Sequence, residues 1–198
     1  MGIYIIIFFS CLFSSNDYDN IYSMLSSPRN NAIGGIHIST DNINSIFDSP
    51  VNIDSKDNNL FISINDFNNL LTTYHMAYCI YSNNNMNLSL GLVRREIYNN
   101  HNTQEAWMND GYPDLEEINY DMISSFSDKQ TGILLAYNSI LSKNFIMGIN
   151  FKPEMHKIGN ISAIGYGMDI RYLIKLNKFI LSFGIDDLFA RKKWDSGF

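Results

Sequence analysis

The stretch Ser162–Ile174 alternates between two kinds of side chain, and this alternation restricts what the chain can fold into. In the sequence SAIGYGMDIRYLI, one set of alternate positions is apolar: Ile164, Tyr166, Met168, Ile170, Tyr172 and Ile174. The other set is small or charged: Ala163, Gly165, Gly167, Asp169 and Arg171. Successive side chains of a β-strand point to opposite faces, so a period of two predicts a strand. An apolar face opposite a face of glycines and charges is typical of a wall between lipid and water.

The same period recurs along the chain from Leu60 onward. The alternating stretches are Leu60–Asn65, Tyr74–Tyr81, Asn87–Val93, Gly132–Asn138, Phe145–Lys152 and Phe179–Asp186, with Tyr120–Phe126 as a short further strand. The run Asn83-Asn84-Asn85 predicts a tight turn, since asparagine tolerates left-handed backbone. Asn99–Leu115 predicts a longer polar loop. The sequence therefore predicts an all-β fold, an antiparallel up-and-down meander of about six or seven strands.

The composition of the polar faces favours a membrane barrel over a soluble β-domain, although alternation occurs in both. These faces are rich in Gly, Ser, Ala and Asn, and only 17% of all residues are charged, which is sparse for a protein surface in water. Such faces are typical of the interior of an outer-membrane barrel. Asp169 and Arg171 would then face the lumen, where they can pair with each other. Tyr74, Tyr172 and Phe189 are candidates for an aromatic girdle at the membrane interface.

The amino-terminal run IYIIIFFSCLF, Ile3–Phe13, predicts a secretory signal peptide over residues 1–15. The run is shorter than the about 20 residues that a transmembrane helix needs. Two other interpretations stay open, a buried N-terminal strand and a lipoprotein modified at Cys11. Without a long apolar helix elsewhere, any membrane span must be built from strands.

Residues 16–58 read as a plug-like segment that precedes the strands of an incomplete β-barrel, residues 59–198. Gly34-Gly35 permits a tight turn or a close backbone approach. Thr40 or Asp41 can cap a short helix with Ile43, Ile46 and Phe47 on one face. Pro50 ends this helix, because the residue before a proline avoids helical backbone.

Charge and motif content exclude several functional classes. The net charge of −6 comes without a clustered basic patch, so nucleic acid is not an expected partner. The sequence holds no phosphate-binding glycine loop, no metal-ligand spacing and no nucleophile elbow. Four histidines lie on separate segments without the spacing of a catalytic constellation. We therefore expect no catalytic residue, no cofactor and no metal, and we do not expect an enzyme.

The segment GGIHISTDNINSIFDSPVNI resembles the N-terminal signature of the PorV/PorQ family of bacterial outer-membrane proteins, which are related to FadL-type transporters. Gly34 and Gly35 match the glycines of that signature, and Asp41 matches one of its acids. Ser49-Pro50-Val51 stands where Asn-Pro-Ala is usual in the family. The later run MGINFKPEMHKIGNISAIGYGMDIRYLIKLNKFILSFGIDDLF is also similar, with Lys152 after a glycine strand and Gly167-Met168-Asp169 in a glycine–aspartate strand. The resemblance covers residues 25–195.

The resemblance implies a barrel in the bacterial outer membrane, of which this chain supplies about half the strands as an N-terminal fragment. It implies a role in type IX secretion or in handling surface proteins, with lipid, secretion components and cargo proteins as partners. An alternative implied by the FadL relationship is a transporter of hydrophobic small molecules. A soluble cell-surface β-domain is the remaining alternative.

Overall fold

The structure is a computed structural model that describes residues 21–23, 43–52, 60–106, 118–176 and 179–196. The expected signal peptide, the Gly34-Gly35 pair and the cap at Thr40 or Asp41 lie outside these residues. Seven strands make up most of the described chain. They are β1 (Leu60–Phe67), β2 (Leu71–Ser82), β3 (Met86–Asn102), β4 (Ser124–Ser142), β5 (Phe145–Ile158), β6 (Ile161–Lys175) and β7 (Ile180–Trp194).

All seven strands belong to one sheet, in which their spatial order equals their order along the chain. Every neighbouring pair is antiparallel, which confirms the predicted up-and-down meander. Among the described residues, β1 and β7 form the two edges of this sheet. Each edge strand is mostly exposed, whereas the strands between them bury alternate side chains.

The two ends of the sheet differ in their connections. At one end, short turns join β2 to β3, β4 to β5, and β6 to β7. At the other end, the connection between β3 and β4 runs from residue 103 to 123, and part of it lies outside the described residues. This end also carries two short turns, between β1 and β2 and between β5 and β6, so the β3–β4 connection is the one long connection among the seven described strands.

Among the described residues, four short 3₁₀ helices accompany the sheet: η1 (Ile21–Ser23), η2 (Ile43–Phe47), η3 (Pro50–Asn52) and η4 (Tyr120–Met122). The first three pack on one face of the sheet, and we call them the inner segment and that face the inner face. The predicted helix with Ile43, Ile46 and Phe47 is confirmed as η2, which ends before Pro50. Pro50 begins η3, a first position that proline favours because its φ is already helical. No described helix is long and apolar enough to cross a membrane.

Two local predictions from sequence need correction. Tyr120–Phe126 is not a separate strand, because residues 120–122 form η4 and β4 begins at Ser124. The turn at Asn83 is present, but its side-chain carbonyl accepts hydrogen bonds from the N–H groups of Asn85 and Met86, 2.8 Å each. Left-handed asparagines occur in the preceding turn, at Asn68 and Asn69, and within β3 at Asn99. One turn therefore uses an asparagine as an acceptor, and the other uses its conformational freedom.

Candidate functional site

The sheet buries polar side chains on one face and exposes apolar side chains on the other, which is the reverse of the pattern in a sheet surrounded by water. On β6, Ile164 is 71% exposed, whereas Asp169 on the opposite face is 7% exposed. The inner face of the other central strands also buries polar residues: Thr73, His75, Asn87, Ser89, Gln130, Asn138, Asn150, Lys152, Glu154 and His156. The outer face exposes apolar side chains on every strand except β3 among those described. A sheet in water buries its apolar face, so this pattern is the one expected where lipid covers the outside.

Lys152, on β5, is a deeply buried charge of the inner face, with 2% of its side chain exposed. Its Nζ lies 2.6 Å from Asp169 on β6, and it also bonds to Asp187 on β7. Asp169 in turn accepts a hydrogen bond from the backbone N–H of Asp187 at 2.9 Å. The ring centre of Tyr22, in the inner segment, lies 5.6 Å from the same ammonium group. Three strands and the inner segment therefore meet at one lysine.

A second polar group lies two residues further along β5, at Glu154. One carboxylate oxygen of Glu154 accepts a hydrogen bond from Gln130 of β4 at 3.0 Å. The other lies 3.1 Å from Nζ of Lys192 on β7. Because the Glu154 side chain is fully buried, an unpaired charge there would be strongly destabilising. Lys192 reaches it across the small residue Gly165, whose own Cβ would lie 2.8 Å from the carboxylate.

A third group continues the row at His156. Its Nε2 lies 2.7 Å from Asp128 of β4, and Asp128 also lies 3.6 Å from Arg95 of β3. The His156 ring packs against the Trp194 ring of β7 with centroids 5.1 Å apart. Lys152, Glu154 and His156 are alternate residues of one strand, so the three groups form a continuous polar row. We call this row the charged track.

The apolar part of the inner face lies under the inner segment. Small and apolar side chains of β2, β3 and β4 form a floor there: Ala77, Cys79, Val93, Leu134 and Ala136. Ile21, Tyr22, Ile43, Ile46 and Phe47 of the inner segment cover this floor, and all ten residues form one buried cluster. The inner segment thus covers the apolar floor and reaches the edge of the charged track.

Glycines on three neighbouring strands let the inner segment approach the wall closely. A Cβ at Gly91 would lie 2.9 Å from Ile46 Cδ1, and one at Gly132 would lie 2.5 Å from the Tyr22 hydroxyl. A Cβ at Gly148 would lie 2.8 Å from the backbone carbon of Pro50. Real Cβ atoms do not approach other heavy atoms this closely, so each glycine is required by the packed position of the inner segment.

The outer face carries a stack of aromatic rings near the short turns. The Phe145 ring lies 5.6 Å from the Tyr172 ring, and Tyr172 lies 5.4 Å from Phe183. The three residues belong to β5, β6 and β7, so the stack crosses three strands at one height. Of the residues expected in a girdle, Tyr172 lies in this stack, and Phe189 is 74% exposed elsewhere on β7. Aromatic rings at one height on an apolar face are typical of a membrane interface.

Two hydrogen bonds hold the carboxyl group of Asp195 in place just beyond the end of the sheet. Asp195, which follows β7, accepts bonds from the Ser162 hydroxyl at 2.8 Å and from the Ser162 N–H at 3.1 Å. These bonds lower the pKa of Asp195, with the hydroxyl as the larger cause. Because its pKa is lowered in the folded state, the ionised carboxylate stabilises the fold at pH values above its ordinary pKa of 3.8. This stabilisation is lost as the pH falls through the lowered pKa.

The residues predicted from sequence have different outcomes. Gly34, Gly35 and Asp41 lie outside the described residues. Pro50 packs on Gly148, within the inner segment. Asp169 and Arg171 occupy the strand predicted for them, but the structure gives them separate partners. Asp169 pairs with Lys152, whereas Arg171 pairs with Asp186 at 2.6 Å in a more exposed position.

Sequence reasoning missed most of the charged track. The alternating stretch predicted as this strand is Phe145–Lys152, whereas β5 continues to Ile158. If the alternation is extended past Pro153, it places Glu154 and His156 on the same face as Lys152. The sequence period could therefore have identified these two residues. The partners Gln130 and Lys192 had no such signal, since their contacts depend on the register of other strands.

The described residues hold no group of three or more His, Cys, Asp or Glu that suits a metal ion. Comparison with models of protein families, with curated proteins and with solved structures found no match to this chain.

Proposed function

We propose that this chain forms part of the wall of an outer-membrane β-barrel of the PorV/PorQ type, with a role in type IX secretion or in handling surface proteins. The observation that carries the membrane assignment is the reversed burial of the sheet. Exposing a large apolar side chain to water forgoes about 1.5–3 kcal/mol relative to burying it. The outer face has such residues on strand after strand, and lipid removes this penalty.

Three further features support the same proposal. The inner face is polar, as in barrels with an aqueous lumen. The aromatic stack of Phe145, Tyr172 and Phe183 lies near one end of the outer face. The inner segment packs against the inner wall, in the place where a plug of a barrel would lie. The secretion role rests on the resemblance of residues 25–195 alone.

The membrane assignment is tested by flotation and by alkaline extraction. The full chain, refolded in detergent and reconstituted into phospholipid vesicles, is expected to float with the vesicles and to stay in the pellet after a carbonate wash. A variant with Ile62→Lys, Ile164→Lys and Phe183→Lys is the control, since it alters only the outer face. We expect this variant to lose flotation while staying soluble. Recovery of the unchanged chain in the carbonate supernatant would contradict a membrane location and favour a soluble surface domain.

The secretion role needs a separate test in the bacterium that carries the gene. Deleting the gene is expected to leave cargo proteins inside the cell envelope, and a plasmid copy should restore their release. A copy with Lys152→Met is expected to fail in this complementation because it leaves two carboxylates of the wall without a partner. Normal cargo release in the deletion strain would exclude this role.

One observation favours a second function, transport of hydrophobic small molecules as in the FadL-type proteins. The apolar floor under the inner segment, which includes Val93 and Leu134, offers a surface for an aliphatic chain. In this structure Ile46 and Phe47 cover the apolar floor. Uptake of a labelled long-chain fatty acid should then fall in the deletion strain, whereas equal uptake with and without the gene would rule this function out.

A further inference from the structure

In the seven described strands, the charged side chains of the outer face lie at one end of the sheet, the end that carries the long β3–β4 connection. Successive residues of a strand face opposite sides, so Lys129 points outward beside the buried Gln130, and Lys157 points outward beside the buried His156. The basic residues placed outward in this way are Arg94 of β3, Lys129 of β4, Lys157 of β5, and Arg191 and Lys193 of β7. We call these five residues the basic belt. They are far apart in the sequence, so only the pairing of the strands brings them together.

The register of the sheet puts the basic belt at the border of the apolar surface. Lys129 of β4 lies directly opposite Lys157 of β5. In the next row of outward side chains, Met155 of β5 pairs with Ile164 of β6, and Ile164 pairs with Lys193 of β7. Ile164 is 71% exposed. Ammonium groups and exposed apolar side chains are therefore immediate neighbours on this part of the outer face.

The pair of Lys129 and Lys157 places two like charges across from each other. Like charges at directly opposite positions destabilise an antiparallel pair of strands. No carboxylate of the described residues lies within ion-pair distance of either ammonium group. Nζ of Lys129 instead lies 6.0 Å from the centre of the Tyr98 ring. An anion between the two lysines would replace their repulsion by two attractions.

The acids on this part of the outer face already have other partners. Glu96 of β3 lies opposite Lys129 in the register, but its carboxylate accepts hydrogen bonds from Nε of Arg94 at 2.8 Å and from the Tyr98 hydroxyl. Asp66, the other outward acid of the described strands, accepts hydrogen bonds within the β1–β2 turn. This end of the outer face is therefore basic, although the chain as a whole has a net charge of −6.

We propose that the basic belt binds the phosphate group of an anionic lipid whose acyl chains lie along the apolar outer face. The proposal rests on the proposed membrane location. Arginine and lysine both bind phosphate, the former as a planar fork and the latter as a point charge. One lipid molecule satisfies both surfaces, since its phosphate meets the lysines and its chains cover neighbours such as Met155 and Ile164. Free phosphate or a nucleic acid would leave these apolar side chains uncovered.

Lipid retention in micelles tests the proposal. The full chain in neutral detergent is titrated with phosphatidylglycerol or with phosphatidylcholine of the same acyl chains, and native mass spectrometry counts the lipids that stay bound. We expect phosphatidylglycerol to bind more tightly. Lys129→Gln with Lys157→Gln should weaken its binding by roughly 30-fold, which is the conversion of about 1 kcal/mol for each lysine at an anionic surface.

Lys143→Gln with Lys175→Gln is the matched control. It removes the same two charges from exposed positions at the other end of the sheet, in the β4–β5 turn and at the last residue of β6. The affinity for phosphatidylglycerol should change little in this control. An equal loss in the belt variant and in the control would overturn the proposal, because binding would then follow net charge alone.

The stability of Lys157→Gln gives a second readout, which a merely structural role would not move in the same way. In neutral micelles the variant should not lower the urea midpoint of unfolding, because it removes a repulsion. In micelles that contain phosphatidylglycerol it should lower the midpoint, because it removes a ligand contact. A shift of the same sign and size in both kinds of micelle would overturn the proposal.

Inorganic phosphate distinguishes a lipid from a free anion. Added at the ionic strength of a sodium chloride control, it should leave phosphatidylglycerol bound, and displacement beyond the control would assign the basic belt to a free anion instead. Equal affinity for the two lipids would overturn the basic belt as a lipid site and leave the membrane location intact. Retention of neither lipid would count against both.

Discussion

At the scale of single residues, Lys152 combines deep burial with a full charge, and its two carboxylate partners explain why it can be there. Two carboxylates and a tyrosine ring replace the water that an ammonium group loses on burial. Removing one partner of such a group leaves the others buried and unpaired, which costs more than the pair itself contributes.

The first prediction follows from this asymmetry. Lys152→Met should lower the free energy of unfolding in detergent by about 3–5 kcal/mol, measured by urea titration. Lys157→Met, at an exposed position of the same strand, is the control and should change little. Adding Asp169→Asn and Asp187→Asn to Lys152→Met should restore most of the loss. If the triple variant is no more stable than Lys152→Met, the carboxylates are not the cause.

The second prediction concerns the carboxyl group of Asp195. Because the Ser162 hydroxyl is the largest cause of its lowered pKa, Ser162→Ala should bring this pKa back toward 3.8. The remaining bond from the backbone N–H should keep part of the effect. An NMR pH titration of the Asp195 side chain measures both values. An identical titration midpoint in the variant would mean that the hydroxyl bond is absent in solution.

At the scale of elements, β5 carries both the charged track and the interruption that the inner segment fills. Its inner face places Lys152, Glu154 and His156 in a row, and Pro153 lies between Lys152 and Glu154 along the chain, on the opposite face. Proline has no N–H group to offer Ile133 of β4, which the register places opposite it, and the Tyr22 hydroxyl of the inner segment donates to the Ile133 carbonyl oxygen at 2.9 Å. Stability of β5 and attachment of the inner segment should therefore be coupled.

The third prediction measures this coupling. Pro153→Ala restores an N–H opposite Ile133, so the Tyr22 hydroxyl should matter less in that background. We expect Tyr22→Phe to cost about 0.5–1.5 kcal/mol in the native sequence and clearly less with Pro153→Ala. A double-mutant cycle from urea unfolding gives the interaction energy. Additive effects would show that the hydroxyl does not compensate for the proline.

The elements differ in how far the sequence predicts them. β6 and the hairpin of β2 and β3 were predictable, because their apolar residues alternate without interruption. Residues Ser127–Thr131 of β4 were not, since they are polar on both faces and show no period. The ion pairs were not predictable either: Lys152 and Asp187 meet only after three strands have taken their register. Local pattern specifies strands, whereas partners depend on pairing between distant segments.

At the scale of the whole molecule, the outer face is the property on which the membrane assignment depends. Polar groups would be favourable on that face in water and costly in lipid, and the cost in lipid depends on depth. The strands offer positions of different depth on the same face. Phe151 lies in the middle of β5, and Leu181 is the second residue of β7, where it pairs with Ile174 of the outer face.

The fourth prediction uses this difference. In vesicles, Phe151→Arg should destabilise the folded protein by about 2–4 kcal/mol, and Leu181→Arg by only about 0–1 kcal/mol. Both side chains are more than two-fifths exposed, so burial within the protein does not explain the difference. Reversible unfolding in vesicles, followed by tryptophan fluorescence, measures it. Equal costs at the two positions would indicate that the outer face does not span a bilayer.

The number of strands has a consequence for symmetry. In a meander each strand reverses the direction of the one before, so the first and seventh strands run the same way. These two edges cannot pair antiparallel with each other, whatever the curvature of the sheet. An even-numbered ring of antiparallel strands that contains this sheet must hold an odd number of strands besides these seven. Rotation about the barrel axis keeps the direction of every strand, so two rotated copies of this sheet would meet along edges that run parallel. Strand direction therefore excludes a barrel that two such copies close by antiparallel pairing.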